Sequence, residues 1–193
     1  VNANDHKSKK PAKVGSSKTT TTPKEYPYPG EGKISLWDIP GIGLSAAPDV
    51  KTYCDEFKIL QHDAFVIMTA KSLSQLNISL AEKLANIKKP FLFVRARIDE
   101  DFANDNKNTI VSRDEFRKKI ETEFREEVAQ VDKIIGRNLD IFLINNDNPS
   151  DWDFSKLVLA IGKQFSLDQQ QCFHFTQPAI SKEILKEKVK ELK

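Results

Sequence analysis

The sequence predicts an α/β domain built around a mostly parallel β-sheet. Three nearly continuous apolar runs, at residues 64–69, 90–94 and 141–144, and a shorter one at 34–38 are separated by segments with helical patterns. Unbroken apolar runs are typical of strands buried on both faces, which is the usual condition of a parallel sheet. The alternation of strands with helices predicts a wound sheet with right-handed crossovers.

Two helical patterns are well defined. Between residues 73 and 87, leucines and an isoleucine recur at steps of three and four. The same spacing recurs between residues 116 and 131, where Ser112 with Glu115 three positions later predicts a capping box at the start of the helix. A third helix is predicted from about Ser155 to Gln164.

The chain divides into three predicted parts. Residues 1–32 are polar and rich in Lys, Ser, Thr, Pro and Gly, which predicts an irregular segment. Residues 33–170 carry the α/β pattern. Residues 171–193 contain an amphipathic helical pattern from Ile180 onward, which we expect to begin a helical region packed on the protein itself. A membrane-surface role for that helix is less favoured because its charges are mixed in sign.

Composition excludes several classes of partner. The 193 residues are 39% hydrophobic, and 30 Lys and Arg nearly balance 28 Asp and Glu, so no overall field favours nucleic acid. Cys54 and Cys172 lack metal-ligand spacing and the three histidines are scattered, which argues against zinc. No apolar run approaches the ~20 residues that a membrane-spanning helix needs.

Ligands of a parallel sheet bind beyond the carboxyl ends of its strands, so the residues after each run are the candidates. The run at residues 34–38 ends at Asp38, whose carboxylate can hold Mg²⁺ through water. Gly41 follows three residues later and lets a backbone N–H approach a terminal phosphate. On its own this spacing is weak evidence for a phosphate site, since it is also typical of an ordinary strand-ending turn.

The runs at residues 90–94 and 141–144 are followed by residues that can bind guanine. Asp99 could accept two hydrogen bonds from the base, and Arg97 could lie over it as a lysine does in the Asn/Thr-Lys-x-Asp motif. Ala96 stands where that motif has a polar residue, so one supporting hydrogen bond is lost. Asn145 and Asn146 follow the last run and could contact the guanine O6, although such residues are also common in turns.

These elements occur in the order found in one family. Trp37-Asp-Ile-Pro-Gly-Ile-Gly43 resembles the Trp-Asp-Leu-Pro-Gly-Ile-Gly signature of the immunity-related (interferon-inducible) GTPases. The similarity extends from about Pro11 to the end of the chain. It includes Thr52-Tyr53, Phe93-Val94-Arg95, Asp99, Phe142-Leu143, the stretch from Asp151 to Leu157, and Gln177 to Ile180.

The resemblance implies a P-loop GTPase-like three-layer fold followed by the start of a helical domain. It implies binding of GTP, GDP and Mg²⁺, and hydrolysis coupled to oligomerisation with itself or related GTPases. It further implies a cytoplasmic protein, peripheral on endomembranes or vacuoles, in interferon-linked cell-autonomous defence. Asp38 and Thr20 would hold the metal and, with Gly41, serve catalysis. Arg97, Asp99 and either Asn145 or Asn146 would bind the base.

The sequence also departs from the family pattern. It contains no Gly-x-x-x-x-Gly-Lys-Ser/Thr phosphate-binding loop, and we expect it to be the part of the domain that follows that loop, because the first strand and helix are missing too. In the segment that aligns with the first switch, Val14 and Lys18 replace a threonine and an acidic residue. Thr20 is the best remaining hydroxyl there, with Thr19 or Thr21 as alternatives.

Two other functions compete with a GTPase. The missing loop, together with Val14, Lys18, Ala96 and Arg97, favours a non-catalytic interaction protein that keeps the fold as a platform for partners. An ATP-binding α/β protein is a third possibility, but Asp99 in its motif argues against it.

Overall fold

The structure is a computed structural model that describes residues 21–27, 34–43, 47–107, 111–145, 147–148 and 150–176. Several predicted features lie outside the described residues, namely Val14, Lys18, Thr20, Asn146 and the predicted helix at 180–193. The elements, in chain order, are β1 (Lys24–Pro27), β2 (Ser35–Asp38), α1 (Val50–Glu56), a 3-10 turn (Ile59–Gln61), β3 (Phe65–Thr69), α2 (Gln75–Asn86), β4 (Phe91–Arg95), α3 (Ile98–Asp105), α4 (Arg113–Ile135), β5 (Ile141–Leu143), α5 (Phe154–Gly162) and α6 (Leu167–Thr176).

The three central strands form a parallel sheet in the order β3-β4-β5. Phe65 pairs with Phe91 at the start of the β3-β4 ladder, and Phe93 pairs with Ile141 at the start of the β4-β5 ladder. Strand β4 is buried along its whole length, because helices cover both of its faces. The predicted parallel α/β fold is confirmed.

Side-chain alternation along β4 separates two layers of helices. Phe91 and Phe93 face a core shared with α2 and α4, where Phe93 meets Phe124 edge-on at 6.4 Å between ring centroids. Leu92 and Val94 point to the opposite face and pack with Leu157 of α5. Since successive side chains of a strand point to opposite faces, the sheet is the middle of three layers.

Strand β3 departs from the sequence prediction, which expected burial on both faces. Ile67 is buried, but Val66 and Met68 are 41% and 52% exposed. Val66 and Met68 pair with Leu92 and Val94 of β4, so they lie on the same face of the sheet as those residues. Helix α5 covers this face over β4 and β5. Among the described residues, no helix extends that cover over β3.

A second, two-stranded sheet is formed by β1 and β2 in antiparallel pairing. The strand at β2 was predicted, whereas β1 corrects the expectation of an irregular segment over residues 1–32. Pairing with β2 stabilises β1 despite its polar sequence, since backbone hydrogen bonds do not depend on side-chain apolarity. The hairpin contacts the main body through Trp37, whose ring lies 5.5 Å from that of His62.

The helices follow the predicted patterns where their apolar stripe is long. Helix α4 begins with the predicted capping box, in which Ser112 Oγ accepts from the Glu115 N–H and Glu115 accepts from the Ser112 N–H. It ends at Gly136, whose φ of 74° is left-handed. The predicted division between residues 170 and 171 falls inside α6, and a domain boundary there stays a prediction. No described helix is long and apolar enough to cross a membrane.

Candidate functional site

The segments that follow β4 and β5 lie side by side beyond the carboxyl ends of the strands. The Ile144 N–H donates to the Arg95 carbonyl at 2.9 Å, and the Ile98 N–H donates to the Ile144 carbonyl at 3.3 Å. These bonds continue the ladder past the regular strands. They place the Arg97–Asp99 segment next to Asn145, at the edge where ligands of a parallel sheet bind.

Asp99 lies in the first turn of α3 and is partly exposed. Its carboxylate makes no hydrogen bond or ion pair with any residue that the structure describes. An acidic first turn also stabilises a helix by interaction with the helix dipole, and Glu100 and Asp101 share this position. Asp99 differs from both neighbours because each of them is engaged by an arginine.

Arg97 precedes α3 in a left-handed conformation, with φ 61° and ψ 33°. Its guanidinium contacts Glu100, with Nε donating to Oε1 at 2.7 Å. Both side chains are more than half exposed, so the pair contributes little to stability. It does hold the planar group of Arg97 beside the first turn of α3.

Arg95, the last residue of β4, stabilises the start of α3. Its guanidinium donates to Asp101 Oδ2 at 2.9 Å, and the Arg95 side chain is only 10% exposed. The ion pair connects the end of β4 with the first turn of α3 and so fixes the backbone that carries Asp99. Sequence reasoning used Arg95 only as part of the resemblance and missed this role.

Asn145 is buried, and its side chain shapes the loop after β5. Its Oδ1 accepts hydrogen bonds from the N–H groups of Asp147 at 2.8 Å and Asn148 at 3.3 Å. Asn145 therefore stabilises a turn, which was the alternative interpretation of this residue in the sequence. Contact with a guanine O6 stays a prediction for Asn145, and Asn146 lies outside the described residues.

Asp153 ends the loop that begins at Asn145, and its only predicted significance was as part of the family resemblance. Its side chain is 5% exposed, and both carboxylate oxygens accept from Arg117 of α4 at 2.7 Å. Oδ2 also accepts from the Leu143 N–H at 3.2 Å. Trp152 beside it has a φ of 56° and lies against the guanidinium of Arg113 at 4.6 Å. The sequence alone could not identify Arg113 and Arg117 as partners of this loop, because the contacts depend on how α4 packs against it.

Asp38 and Gly41 lie on a different segment, at the end of β2 and against α1. Pro40 and Ile42 are buried, whereas Gly41 between them is exposed. The Tyr53 hydroxyl of α1 donates to the Pro40 carbonyl at 2.9 Å in a buried hydrogen bond. Burial raises the pKa of Tyr53 to about 12, so the phenol remains a neutral donor at physiological pH.

The carboxylates of the described residues form no cluster of three or more metal-binding side chains. Asp38 therefore belongs to no such cluster in the described part of the chain. One carboxylate fits Mg²⁺ only together with phosphate oxygens, which is the usual arrangement in nucleotide sites. The second predicted metal ligand, Thr20, lies outside the described residues.

The chain is similar to known GTPases over almost all of its length. A family model described as Interferon-inducible GTPase (IIGP) matches residues 3–193. The chain is 27% identical over 183 residues to Interferon-inducible GTPase 1 of Mus musculus, covering 94% of this chain and 44% of the relative. It is 26% identical to T-cell-specific guanine nucleotide triphosphate-binding protein 2 of Mus musculus, covering 97% and 45%. Interferon-inducible GTPase 5 of Rattus norvegicus is 28% identical, with 92% and 38% covered. The chain thus spans less than half the length of these relatives.

Proposed function

Because this chain belongs to the interferon-inducible GTPase (IIGP) family, we propose that it forms the guanine-recognising part of a GTPase domain. The observation that carries the proposal is Asp99, whose carboxylate lies at the carboxyl edge of the sheet with no partner among the described residues. The proposed activity is Mg²⁺-assisted GTP hydrolysis coupled to oligomerisation of a cytoplasmic protein on intracellular membranes in cell-autonomous defence. Its partners are further copies of itself or related GTPases.

The proposed base pocket has three parts. Asp99 would accept hydrogen bonds from the guanine N1–H and exocyclic amine, since an ionised carboxylate is an acceptor with two oxygens. Arg97 would lie over the base, and its contact with Glu100 already restricts its planar group. The loop shaped by Asn145 would close the pocket. The ion pair between Arg95 and Asp101 supports the arrangement because it fixes the first turn of α3.

The proposed phosphate end of the site is carried by Asp38 and Gly41. Gly41 is exposed and would offer its backbone N–H to the terminal phosphate. Mg²⁺, when bound, would neutralise phosphate charge, and Asp38 would hold it. Thr20 is the proposed second metal-binding and catalytic side chain. Ile42 follows Gly41 where Ras-like enzymes have glutamine, so we propose that groups from a second subunit complete the charge stabilisation.

The free side of β3 supports a further part of the proposal. Among the described residues β3 is an edge strand, and Val66 and Met68 are exposed on the face that α5 leaves uncovered. A parallel strand followed by a helix would pair with this edge and cover both side chains. We propose that a phosphate-binding loop joins such a strand and helix, and that the nucleotide site is complete only with it.

The proposal is tested by titrating fluorescent GDP and a non-hydrolysable GTP analogue, with Mg²⁺, into this chain and into the full-length product of its gene. We expect binding by the full-length product and none by this chain, since the phosphates contribute much of the affinity of such sites. Failure of both proteins to bind would reject the GTPase and favour the interaction platform. That platform is the second candidate, because Arg97 and the Asn145 oxygen are already engaged within the protein.

Replacing Asp99 with asparagine tests base recognition separately. The amide can no longer accept two hydrogen bonds from guanine, but it can donate to the O2 of xanthine. We expect GDP affinity to fall about ten- to a hundredfold, the range for hydrogen bonds to a charged group, and xanthosine diphosphate affinity to rise. Asp105→Asn is the control, because Asp105 lies on the same helix and pairs with Lys119 instead. An unchanged preference for guanine in Asp99→Asn would remove Asp99 from the pocket.

A further inference from the structure

Tyr53 connects α1 with the segment that follows β2. The residue is 5% exposed, and its ring packs edge-on against Phe57 at 4.9 Å between centroids. Its hydroxyl reaches the carbonyl of Pro40, thirteen residues earlier in the chain, in a buried hydrogen bond of 2.9 Å. A buried tyrosine hydroxyl normally needs a partner, and here the partner is a backbone group of the predicted phosphate-contacting segment.

The contacted carbonyl belongs to the same peptide unit as the N–H of Gly41. No described peptide bond is cis, and a trans peptide is planar with its C=O and N–H pointing in opposite directions. A peptide whose oxygen faces Tyr53 must therefore aim the Gly41 N–H away from Tyr53. That N–H donates no hydrogen bond to any residue in the described part of the chain.

The residues on either side prevent the peptide from moving freely. Pro40 and Ile42 are buried, and Ile42 belongs to the main core with Tyr53 and Phe57. Proline also fixes its own φ, so fewer backbone torsions can change around this peptide. Gly41 has no Cβ and is exposed, which leaves the approach to its N–H open to an anion. The peptide is thus fixed on its carbonyl side and open on its N–H side.

We propose that Tyr53 is a positioning residue that aims the Gly41 N–H at the terminal phosphate and thereby raises the affinity for GTP without changing the affinity for GDP. This inference deepens the proposed function and rests on it. GDP has no phosphate at that position, so the orientation of this peptide affects only the triphosphate. Without the hydroxyl, the Pro40 carbonyl loses its hydrogen bond, so the peptide is held less tightly and its N–H is aimed less accurately at the phosphate.

The test is Tyr53→Phe in the full-length product of the gene, because phenylalanine keeps the ring and removes only the hydroxyl. We expect affinity for the non-hydrolysable GTP analogue to fall about three- to tenfold, as for loss of one hydrogen bond, and GDP affinity to stay within about twofold. Tyr26→Phe is the matched control, since Tyr26 lies in β1 and pairs with Leu36 of β2, and its ratio of the two affinities should not change.

A purely structural role for Tyr53 would lower both affinities together through loss of folded protein, and that result overturns the inference. An unchanged ratio in a folded variant overturns it too. The nucleotide-free protein gives a second readout, in which the Gly41 amide resonance should shift or broaden in Tyr53→Phe and stay in place in Tyr26→Phe. If the wild-type protein binds no guanine nucleotide, the proposed function fails, and the amide resonance still reports whether Tyr53 orients Gly41.

Discussion

Asp153 carries a negative charge at a site almost closed to solvent, and its partners determine whether that charge is tolerated. Both oxygens accept from Arg117, Oδ2 also accepts from the Leu143 N–H, and Lys156 lies 3.1 Å from Oδ1. A buried carboxylate with these partners holds together α4, the end of β5 and the start of α5. The loop that begins at Asn145 is therefore fixed at its far end by one residue.

Arg117→Met tests this arrangement because it removes the charge and keeps most of the side-chain volume. An uncompensated buried charge typically destabilises a protein by about 3–5 kcal/mol. Arg117 is 31% exposed and Lys156 can compensate in part, so we expect a loss of about 2–3 kcal/mol in the free energy of unfolding, measured by urea denaturation. Arg113→Met is the control, since its exposed pair with Asp151 should be worth about 1 kcal/mol or less. Equal losses in the two variants would show that Asp153 is not held through Arg117.

Sequence reasoning at the residue scale identified positions that follow strands, and it could not identify long-range partners. Asp99 and Asn145 were chosen because each follows a predicted strand, and the bond between Ile98 and Ile144 shows that their segments lie side by side. Arg95 and Asp153 were missed as supports for these two segments, and Tyr53 was missed as the support of the Pro40–Gly41 peptide. Each acts through a contact that depends on which helix packs beside which strand, and such contacts leave no local pattern in one sequence.

The elements were predictable where a long apolar stripe or a cap marks them. Helix α4 has five buried apolar residues at helical spacing and a complete capping box, so both its existence and its start were predicted. Helices α1 and α3 were missed because they have only seven and eight residues, too few to show a period. Strand β1 was missed for a related reason, since its four residues show no apolar alternation and are stabilised by pairing with β2.

The capping box of α4 gives a prediction at this scale. In Ser112→Ala the Glu115 N–H loses its acceptor, and the Glu115 carboxylate loses a hydroxyl donor that now holds its pKa below the usual range. We expect the free energy of unfolding to fall by about 1 kcal/mol, as for other helix caps. Ser72→Ala serves as the control, because Ser72 is exposed and precedes no helix directly. A change of less than a few tenths of a kcal/mol in Ser112→Ala would mean that α4 is stabilised by its packing alone.

At the scale of the whole molecule, the described helices cover one face of the three-stranded sheet completely and the other face only in part. The layer formed by α2 and α4 covers all three strands, whereas α5 covers only β4 and β5. The sequence could not reveal this difference, because an apolar strand has the same composition whether or not a helix lies over it. It predicted burial of β3 on both faces, and only the register with β4 shows which side chains are left uncovered.

Met68→Lys distinguishes an open face from one that is covered in the complete protein. In this chain Met68 is 52% exposed, so lysine should change the free energy of unfolding by no more than about 0.5 kcal/mol. In the full-length product, a strand and helix packed against β3 would bury the new charge. We then expect a loss of 2 kcal/mol or more, on the order of the penalty for an unpaired buried group.

Met68→Leu is the matched control and should be nearly neutral in both proteins, because it keeps the apolar volume. The informative quantity is the difference between the two proteins for the same substitution, which cancels any intrinsic effect of lysine in a strand. A small effect in both would mean that nothing packs over β3. The proposed position of the phosphate-binding loop would then be lost, whereas base recognition by Asp99 could still be tested on its own.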